Sequence, residues 1–418
     1  MALLDPAWKE LRMVTAERAS ADPVGYEIPE HRTVTPGVEG WTRTARPGDP
    51  NKYFMVSADC HVHEPVDLWE RRVDEQYRHR LPRIEVDEDG VRWQVTEGHR
   101  PTKIRDLKLA GEDLVRDKHG NAFPEERVRD MDRDGVDAEI IFPNKGLSMW
   151  ATSDPVFANA MCRAWNDWAW DTFGATYDRS SPLASVATGD IPGAITEIYR
   201  SAERGFRGFS FPAKPVWGPT GEDSRNYNLP EFDPLWAAVE ETGLPITFHV
   251  STGRDPRGAR GNGGAVTNYV FHSLAMTMEP VINMCASGVF QRFPGLRAGT
   301  IEAGIGWIPW ALTAMDEAYH KHHMWAFPKL EGLPSDYYRG HCFGSFQDDG
   351  PGIDLARKYD LIDNLLWAND YPHHEGSWPH SAAAIERTMG DLTDEARAKI
   401  LGLNAARLFN FEVPESKR

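Results

Sequence analysis

The sequence predicts an α/β protein in which eight parallel strands form a (β/α)₈ TIM barrel, with an N-terminal arm and an inserted β-hairpin. Two observations lead to this fold class. Short apolar runs alternate with helix-like stretches, and polar side chains follow several of the runs directly. Short buried strands that alternate with helices are typical of a parallel sheet covered by helices. In chain order the runs are FMVSA, AEIIF, LASVA, FRGFSF, PITFHV, LRAGTIE, HCFGSF and NLLWAN.

The alternative architecture is a doubly wound open sheet. Such sheets often carry a glycine-rich phosphate-binding turn after the first strand, and no such turn follows FMVSA. The chain has 418 residues, which suits one barrel of about 250 residues with insertions. The barrel is therefore the favoured architecture.

The chain divides into an N-terminal arm (residues 1–50) and a barrel (residues 51–418). The arm is rich in proline, glycine and charge and contains few apolar residues that could form a core. An insertion of about residues 70–127 carries IEVDEDGVRWQV, which is typical of a hairpin because Asp89 and Gly90 separate two alternating runs. A glycine-rich stretch of about residues 251–270 is predicted to be a lid-like loop.

Composition limits the possible partners. The chain has 46 basic and 63 acidic side chains, a formal net charge of −17, which argues against nucleic acid or an anionic membrane as the main partner. Four widely spaced cysteines without a CxxC pair do not indicate a disulfide framework. Neither a secretory signal nor an apolar run of about 20 residues is present. We therefore expect a cytoplasmic protein that acts on a small molecule.

Polar side chains at the ends of the predicted strands are the main functional candidates. In a barrel, the loops after the strands form one concave face. His61 and His63 are two residues apart, so on an extended segment both imidazoles point to the same side and can bind one metal ion. His249, Glu302 and Asp370 follow three other runs. Their convergence on one face predicts a metal site.

Each of these residues also has an ordinary structural interpretation. An isolated HxH pair is common on surfaces, His249 alone could be a core histidine, and Asp370 before Tyr-Pro could be a turn residue. Four separate strand ends with ligand-type side chains are rarely a coincidence. The conjunction therefore favours the metal site.

Further candidates lie in the neighbouring loops. His373 and His374 follow Asp370, and the sequence does not decide which of them faces the site. The stretch EAGIGWIPW contains Trp307, an aromatic side chain that we assign to substrate binding. Three arginines among glycines of the predicted lid can present positive charge to a phosphate or carboxylate. They are Arg254, Arg257 and Arg260.

The motifs DCHVHEP, ITFHVSTG, GVFQRFPGLRAGTIEAGIGWIPW and LLWANDYPHHEG together resemble the amidohydrolase superfamily over residues 53–410. The resemblance is closest to the branch that contains metal-dependent aromatic-acid decarboxylases and ring-cleavage hydrolases. It implies a TIM barrel whose metal ligands are the strand-one histidines, the strand-five histidine and the strand-eight aspartate. In this sequence these residues are His61, His63, His249 and Asp370.

Two positions depart from the pattern of that superfamily. Many of its hydrolases use a carboxylated lysine on strand four to bridge two metals, but Lys214 lies beyond the end of that run. Several of its decarboxylases carry a strand-six histidine as acid/base, and Glu302 stands at that position. The long form of this chain also resembles amidohydrolase-like barrels that are non-haem di-iron monooxygenases acting on coenzyme A-linked substrates.

The favoured functional prediction is a non-haem di-iron monooxygenase that hydroxylates a bulky, terpenoid-like or coenzyme A-linked substrate with O₂. The alternative is a hydrolase or decarboxylase with a single Zn or Mn that acts on a carboxylated aromatic or a lactone. A non-catalytic binding barrel is the third hypothesis. We expect a homodimer. The predicted catalytic residues are Glu302, Asp370 and His373, and the predicted metal ligands are His61, His63, His249, Glu302, Asp370 and His374.

Overall fold

The computed structural model describes residues 53–97, 101–104, 114, 116, 118–120, 122–150, 152–216, 225–252 and 261–417. The predicted arm of residues 1–50 lies outside these ranges. The three loop arginines also lie outside them, so their assignment to substrate binding stays a prediction. They are Arg254, Arg257 and Arg260.

Twelve strands occur in the described part of the chain, and they form a barrel and one small separate sheet. In chain order they are β1 (Val56–Val62), β2 (Arg83–Val86), β3 (Arg92–Val95), β4 (Thr102–Lys103), β5 (Ala138–Pro143), β6 (Ser180–Pro182), β7 (Ala184–Ser185), β8 (Phe209–Phe211), β9 (Ile246–His249), β10 (Ala298–Ile301), β11 (Cys342–Phe346) and β12 (Leu365–Trp367).

The barrel consists of eight parallel strand positions. β1 pairs with β5 and β5 with β6, while β7 to β12 pair in sequence order. Only Leu183 separates β6 from β7, so these two short strands occupy one position. A parallel bridge between Cys60 and Tyr371 joins β1 to the segment after β12. Across this seam the His61 amide donates to the Tyr371 carbonyl at 2.6 Å. The ring is thereby closed, and the predicted TIM barrel is confirmed.

Helices follow most of the barrel strands. They are α1 (Leu68–Arg72), α2 (Pro124–Asp134), α3 (Pro155–Phe173), α4 (Ile191–Arg204), α5 (Asp233–Thr242), α6 (Gly264–Tyr269), α7 (Ala275–Ala286), α8 (Val289–Arg292), α9 (Trp307–Lys321), α10 (Pro334–His341), α11 (Gly350–Lys358), α12 (Ser381–Met389), α13 (Asp394–Ala398) and α14 (Asn404–Phe409). Wider π-helical turns join α6 to α7 (Val270–Leu274) and α13 to α14 (Lys399–Leu403). Within the described ranges, no helix has the length and apolar content to cross a bilayer.

Local sequence explains where several helices begin and end. The Asp154 side chain accepts hydrogen bonds from the amides of Val156 and Phe157 at the start of α3, which satisfies donors that lack a partner inside the helix. The helices α2 and α4 end at Gly135 and Gly205, both in the left-handed conformation that glycine adopts without steric cost. After each of these glycines a short loop leads to the next barrel strand, β5 after α2 and β8 after α4.

The insertion contains the predicted hairpin. β2 and β3 pair in antiparallel fashion around a turn with Gly90 at φ 76°. The Asp87 carboxylate accepts from the amides of Asp89 and Val91 and so fixes this turn. A third short strand, β4, extends the sheet. Two of the sheet's large apolar side chains, Ile84 and Val86, are exposed.

Apolar side chains fill the barrel on both sides of its wall. Inside the ring, Ala58 of β1 belongs to one buried cluster with Ile140, Phe142, Ile301 and Leu366 from other strands. A larger buried cluster lies between the strands and the surrounding helices. Burial of each such side chain contributes about 1.5–3 kcal/mol, so the wall is held rigid from both sides. That rigidity fixes the positions of the residues at the strand ends.

Gly402, in the Lys399–Leu403 turn, allows the last helix to approach the chain just before β1. A methyl group at this residue would lie 2.0 Å from the Phe54 carbonyl oxygen. We predict that Gly402→Ala lowers the free energy of unfolding by about 1–3 kcal/mol, because backbone must move to relieve the overlap. Chemical denaturation followed by circular dichroism measures this change.

Gly340→Ala in α10 is the matched control, since a methyl group there meets nothing within 4 Å. It should leave stability unchanged or raise it by up to about 1 kcal/mol, the difference in helix propensity between alanine and glycine. Equal destabilisation by both substitutions would contradict the close approach at Gly402.

Candidate metal centre

A β-bulge in β1 directs two site residues into the barrel. Between the pairs that Ser57 and Cys60 make with β5, β1 has one residue more than its partner strand. Bulges reorient side chains and are common beside active sites. Ala58 packs in the interior cluster, and its neighbour Asp59 also reaches the interior, where its carboxylate lies 3.2 Å from His249 Nε2. Beyond the bulge, His61 faces the same way.

Two histidines are oriented by backbone carbonyls. His61 Nδ1 is 3.0 Å from the Pro143 carbonyl oxygen, and His249 Nδ1 is 2.8 Å from that of Val250. A carbonyl can only accept, so each Nδ1 carries a proton and each Nε2 points into the cluster. His61 Nε2 has no hydrogen-bond partner among the described residues, whereas His249 Nε2 lies 3.2 Å from the Asp59 carboxylate. Metal-binding histidines in proteins commonly have this arrangement.

Glu302 and Asp370 both have left-handed backbone conformations. Their φ angles are 59° and 53°, and they follow β10 and β12 closely. Ser251, just after β9, has φ 67°. This conformation costs free energy for residues other than glycine, and it concentrates at functional sites. Here it occurs three times at the same end of the barrel.

The polar side chains form two groups that share some members. Within each group, the candidate ligand atoms all lie within 4.8 Å of one another. His61 Nε2 is 3.5 Å from Asp59 Oδ1, 3.6 Å from Asp370 Oδ1 and 3.9 Å from Glu302 Oε2. His249 Nε2 is 3.5 Å from Glu302 Oε2. The first group is Asp59, His61, His249 and Glu302, and the second is His61, Glu302, Asp370 and His373.

These distances suit a divalent cation. Two ligands that each lie about 2.1 Å from one ion are themselves about 3.0 Å apart at a right angle and about 4.2 Å apart when they lie on opposite sides of it. The distances from His61 Nε2 and His249 Nε2 to the carboxylates, 3.2–3.9 Å, lie within that range. Within the described residues, Asp59 Oδ2 and His61 Nε2 have no hydrogen-bond partner. Three buried carboxylates also repel one another unless a positive charge lies between them. The residues present therefore fit a divalent metal.

Burial divides the cluster into two parts. The side chains of Asp59, His61, His249 and Asp370 are fully buried. Glu302 is 9% exposed and His373 is 22% exposed. The first four therefore form the deepest part of the cluster, and solvent reaches only the last two.

The protonation preferences follow from this burial. Burial, followed by the nearby His373 and His249, holds the pKa of His61 well below its usual value. The neutral imidazole that results is the form that binds metals. Burial alone would also lower the pKa of His249, but the Asp59 carboxylate, together with Glu302 and the Val250 carbonyl, outweighs burial and raises that pKa. For Glu302, burial and then the Asp370 charge raise the pKa well above its usual value.

His63 does not join either group, contrary to the sequence prediction. β1 ends at Val62, so His63 lies beyond the strand, where its amide donates to the Gly120 carbonyl at 2.7 Å. Its Nδ1 lies 2.9 Å from the Asn144 amide nitrogen. The pair on one side of the strand is Asp59 and His61 instead.

The roles predicted for His373 and His374 are reversed by the geometry. The His373 ring stacks on His61 with 4.0 Å between centroids, and its Nδ1 lies 3.0 Å from Asp370 Oδ1. His374 points to Glu375 instead, with 3.1 Å between the charged atoms. His373 is thus the one that reaches the metal cluster. The tight turn after Asp370 decides this orientation.

The other candidates lie apart from the cluster. The Trp307 indole donates to the Gly304 carbonyl at 3.0 Å, and its ring packs edge-on against Tyr338. These contacts belong to the fold, and a role in substrate binding stays a prediction. Lys214 pairs with Glu279 at 3.5 Å and belongs to neither metal group.

A buried polar network supports the segment that carries Asp370. The Asn369 side chain donates to Asp134 Oδ2 at 2.9 Å and accepts from the Ser57 hydroxyl at 2.9 Å. The amide of Ser381 donates to the same aspartate at 3.1 Å. Burial raises the pKa of Asp134 to about 6. The network links α2, β1 and the start of α12 to the residue beside Asp370.

Comparison with known proteins gives a consistent assignment. The amidohydrolase family model matches residues 58–411. Gamma-resorcylate decarboxylase of Rhodococcus jostii (strain RHA1) is 26% identical over 308 residues, which are 68% of this chain and 87% of that protein.

Asp59 is a candidate ligand that the sequence analysis missed. It lies two residues before His61, so the DxH spacing in β1 carries the same two-residue signal as the HxH pair.

Solved structures show the same fold. An amidohydrolase of Mycobacterium avium subsp. paratuberculosis K-10 matches with a TM-score of 0.68 and 20% identity, over 85% of this chain and 99% of that one. A dihydroxybenzoic acid decarboxylase of Polaromonas sp. JS666, with bound manganese and the inhibitor 2-nitroresorcinol, matches with a TM-score of 0.57 and 18% identity. The match covers 87% of this chain and 99% of that one.

These findings correct the functional prediction. The Rhodococcus relative, at 26% identity, and the Polaromonas protein are both named as decarboxylases, and the Polaromonas structure contains manganese. The prediction of a di-iron monooxygenase is therefore wrong, and the comparisons do not support the resemblance on which it was based. From the match over most of its length, this chain belongs to the amidohydrolase family.

Proposed function

We propose that this protein is a decarboxylase that uses one divalent metal ion to act on a hydroxylated aromatic carboxylic acid. The observation that carries the proposal is the division of the cluster into four fully buried ligand-type side chains and a more accessible carboxyl group, Glu302. The 26% identity to gamma-resorcylate decarboxylase over 87% of that protein supports the substrate class.

Four side chains would hold the ion: Asp59, His61, His249 and Asp370. They are the fully buried members of the two groups, which share His61, and they combine two imidazoles with two carboxylates. Such a mixed set suits zinc or manganese. When bound, the ion would act as a Lewis acid that binds oxygens of the substrate and offsets negative charge.

Glu302 would supply the proton. Its raised pKa favours the protonated carboxyl group, and its 9% exposure gives it access to the substrate space. The proton passes from the carboxyl group to the ring carbon that bears the substrate carboxylate, and a new C–H bond forms. The C–C bond to the carboxylate then breaks, its electron pair restores the aromatic ring, and CO₂ leaves. Water returns the proton to Glu302.

A ring hydroxyl beside the carboxylate makes this sequence easier. The hydroxyl donates electron density to the neighbouring ring carbon, which accepts a proton more readily as a result. His373 stands beside Asp370 and stacks on His61, so its ring closes one side of the space in front of the ligands. A flat aromatic acid suits a space with a flat imidazole wall.

The ligand assignment predicts different outcomes for two residues of the same motif. Asp59→Asn should weaken Mn²⁺ binding by at least about 100-fold, more than the loss typical of residues that only orient a ligand. His63→Gln should leave the affinity unchanged, because His63 contacts Asn144 outside both groups. Calorimetric titration of chelator-treated protein with Mn²⁺ measures both. The reverse pattern would restore the HxH assignment.

The reaction assignment predicts CO₂ release from hydroxybenzoates. Mn²⁺-loaded protein should convert 2,6-dihydroxybenzoate or a related hydroxybenzoate to the corresponding phenol. Glu302→Gln should slow turnover by about 10²–10⁴-fold, the usual contribution of a general acid, and should retain Mn²⁺. Liquid chromatography of the phenol and a coupled CO₂ assay give the rates.

The control for this experiment is the His63→Gln variant, which should decarboxylate at close to the normal rate. In D₂O the product should carry one deuterium at the carbon that lost the carboxylate. Absence of CO₂ release across a hydroxybenzoate panel, with metal bound and lactones hydrolysed instead, would contradict the proposal and favour the hydrolase.

A further inference from the structure

Arg127 is a buried cation that lies behind the metal centre. It belongs to α2 (Pro124–Asp134), and its side chain is only 1% exposed. The guanidinium forms a bidentate ion pair with Glu139 of β5, with both N–O distances at 2.8 Å. The Ser180 hydroxyl of β6 donates to the same carboxylate at 2.9 Å. The pair therefore spans α2 and two neighbouring barrel strands.

The same guanidinium also contacts both sides of the barrel seam. Its Nη1 donates to the His61 carbonyl oxygen at 2.8 Å. Its central carbon lies 4.9 Å from the centroid of the Tyr371 ring, within cation–π range. His61 provides a candidate metal ligand, and Tyr371 directly follows another one, Asp370. One side chain thus fixes the backbone on both sides of the cluster.

Net stability does not explain a pair of this kind. Removal of two charges from water costs several kcal/mol for each ion, and a well-packed apolar replacement is often equally stable or more stable. The fork geometry of arginine, however, sets several donor directions at once, which neither lysine nor an apolar side chain reproduces. The contacts of Arg127 therefore indicate a role in placing particular atoms.

We propose that Arg127, held in place by Glu139, is a positioning residue for the metal centre. This inference rests on the proposed metal-dependent function. Arg127 holds the His61 carbonyl just beyond the β1 bulge, where the extra residue interrupts the regular pairing of β1 with β5. The His61 imidazole is fixed independently by Pro143 at the end of β5. Two attachments to one strand thus hold the ligand on β1 in a single orientation before the ion binds.

The test compares Mn²⁺ affinity with thermal stability in the full-length chain. The variants are Arg127→Lys and Arg127→Met, and the control is Arg397→Met. Arg397 is also buried and pairs with Glu386. It lies beside Tyr53, before β1 begins, and thus at the opposite end of the barrel from the ligands.

Arg127→Lys keeps the buried charge but loses the fork, so it should weaken Mn²⁺ binding by about 10–100-fold, as for residues that orient metal ligands. The Mn²⁺ paramagnetic resonance spectrum should broaden, since the ligands are no longer held in one arrangement. Arg397→Met should lower the melting temperature but leave the Mn²⁺ affinity and spectrum unchanged. Affinity is read by calorimetry on chelator-treated protein, and it does not depend on turnover.

The inference predicts at least about a 10-fold loss of Mn²⁺ affinity in Arg127→Lys. If this variant binds Mn²⁺ within about twofold of the unsubstituted chain, the inference is overturned. Equal affinity losses in Arg127→Met and Arg397→Met would overturn it as well, since general destabilisation would then explain both. Failure of the unsubstituted chain to bind Mn²⁺ is a different result. It would overturn the metal centre itself, and the positioning role with it.

Discussion

The barrel of this protein closes through two backbone hydrogen bonds between residues that flank or form the metal cluster. Across the seam, the His61 amide donates to Tyr371 and the Asp370 amide donates to Asp59, at 2.6 and 3.1 Å. Closure of the fold and assembly of the site are thus one event, because neither side of the cluster can move without loss of these bonds. The bulge in β1, the left-handed Asp370 and the buried Arg127 all act on this seam.

Charge is the second constraint, and it determines the chemistry. Glu302 belongs to both candidate groups, with Asp59 in the first and Asp370 in the second, and carboxylates this close cannot all stay ionised without a cation among them. In the proposed site a divalent ion would offset Asp59 and Asp370, the two most deeply buried carboxylates, together with the two histidines. Burial and the Asp370 charge raise the pKa of Glu302, which would make this more exposed carboxyl group the proton donor. Unequal environments divide such roles in many active sites.

Sequence patterns predicted the barrel because strand and helix periodicities repeat along the whole chain. They also placed His61, His249, Glu302 and Asp370 at strand ends, and these side chains do lie together in the two candidate groups. Asp59 escaped prediction, because strict alternation from the apolar Ala58 would turn it out of the barrel, and only the bulge turns it in. The choice between the two histidines after Asp370 depends on a tight turn, closed in part by Gly376, that no periodicity encodes. The reaction class could not be read from ligand types alone, because imidazole and carboxylate sets serve oxygenases and decarboxylases alike.

The central claim is that a single divalent ion is bound by Asp59, His61, His249 and Asp370. Anomalous diffraction from crystals grown with Mn²⁺ tests it most directly. We expect one anomalous peak per chain, about 2.0–2.3 Å from one nitrogen or oxygen of each of these four side chains. Two peaks in the cluster, or a single ion held by His63 or His374, would contradict it.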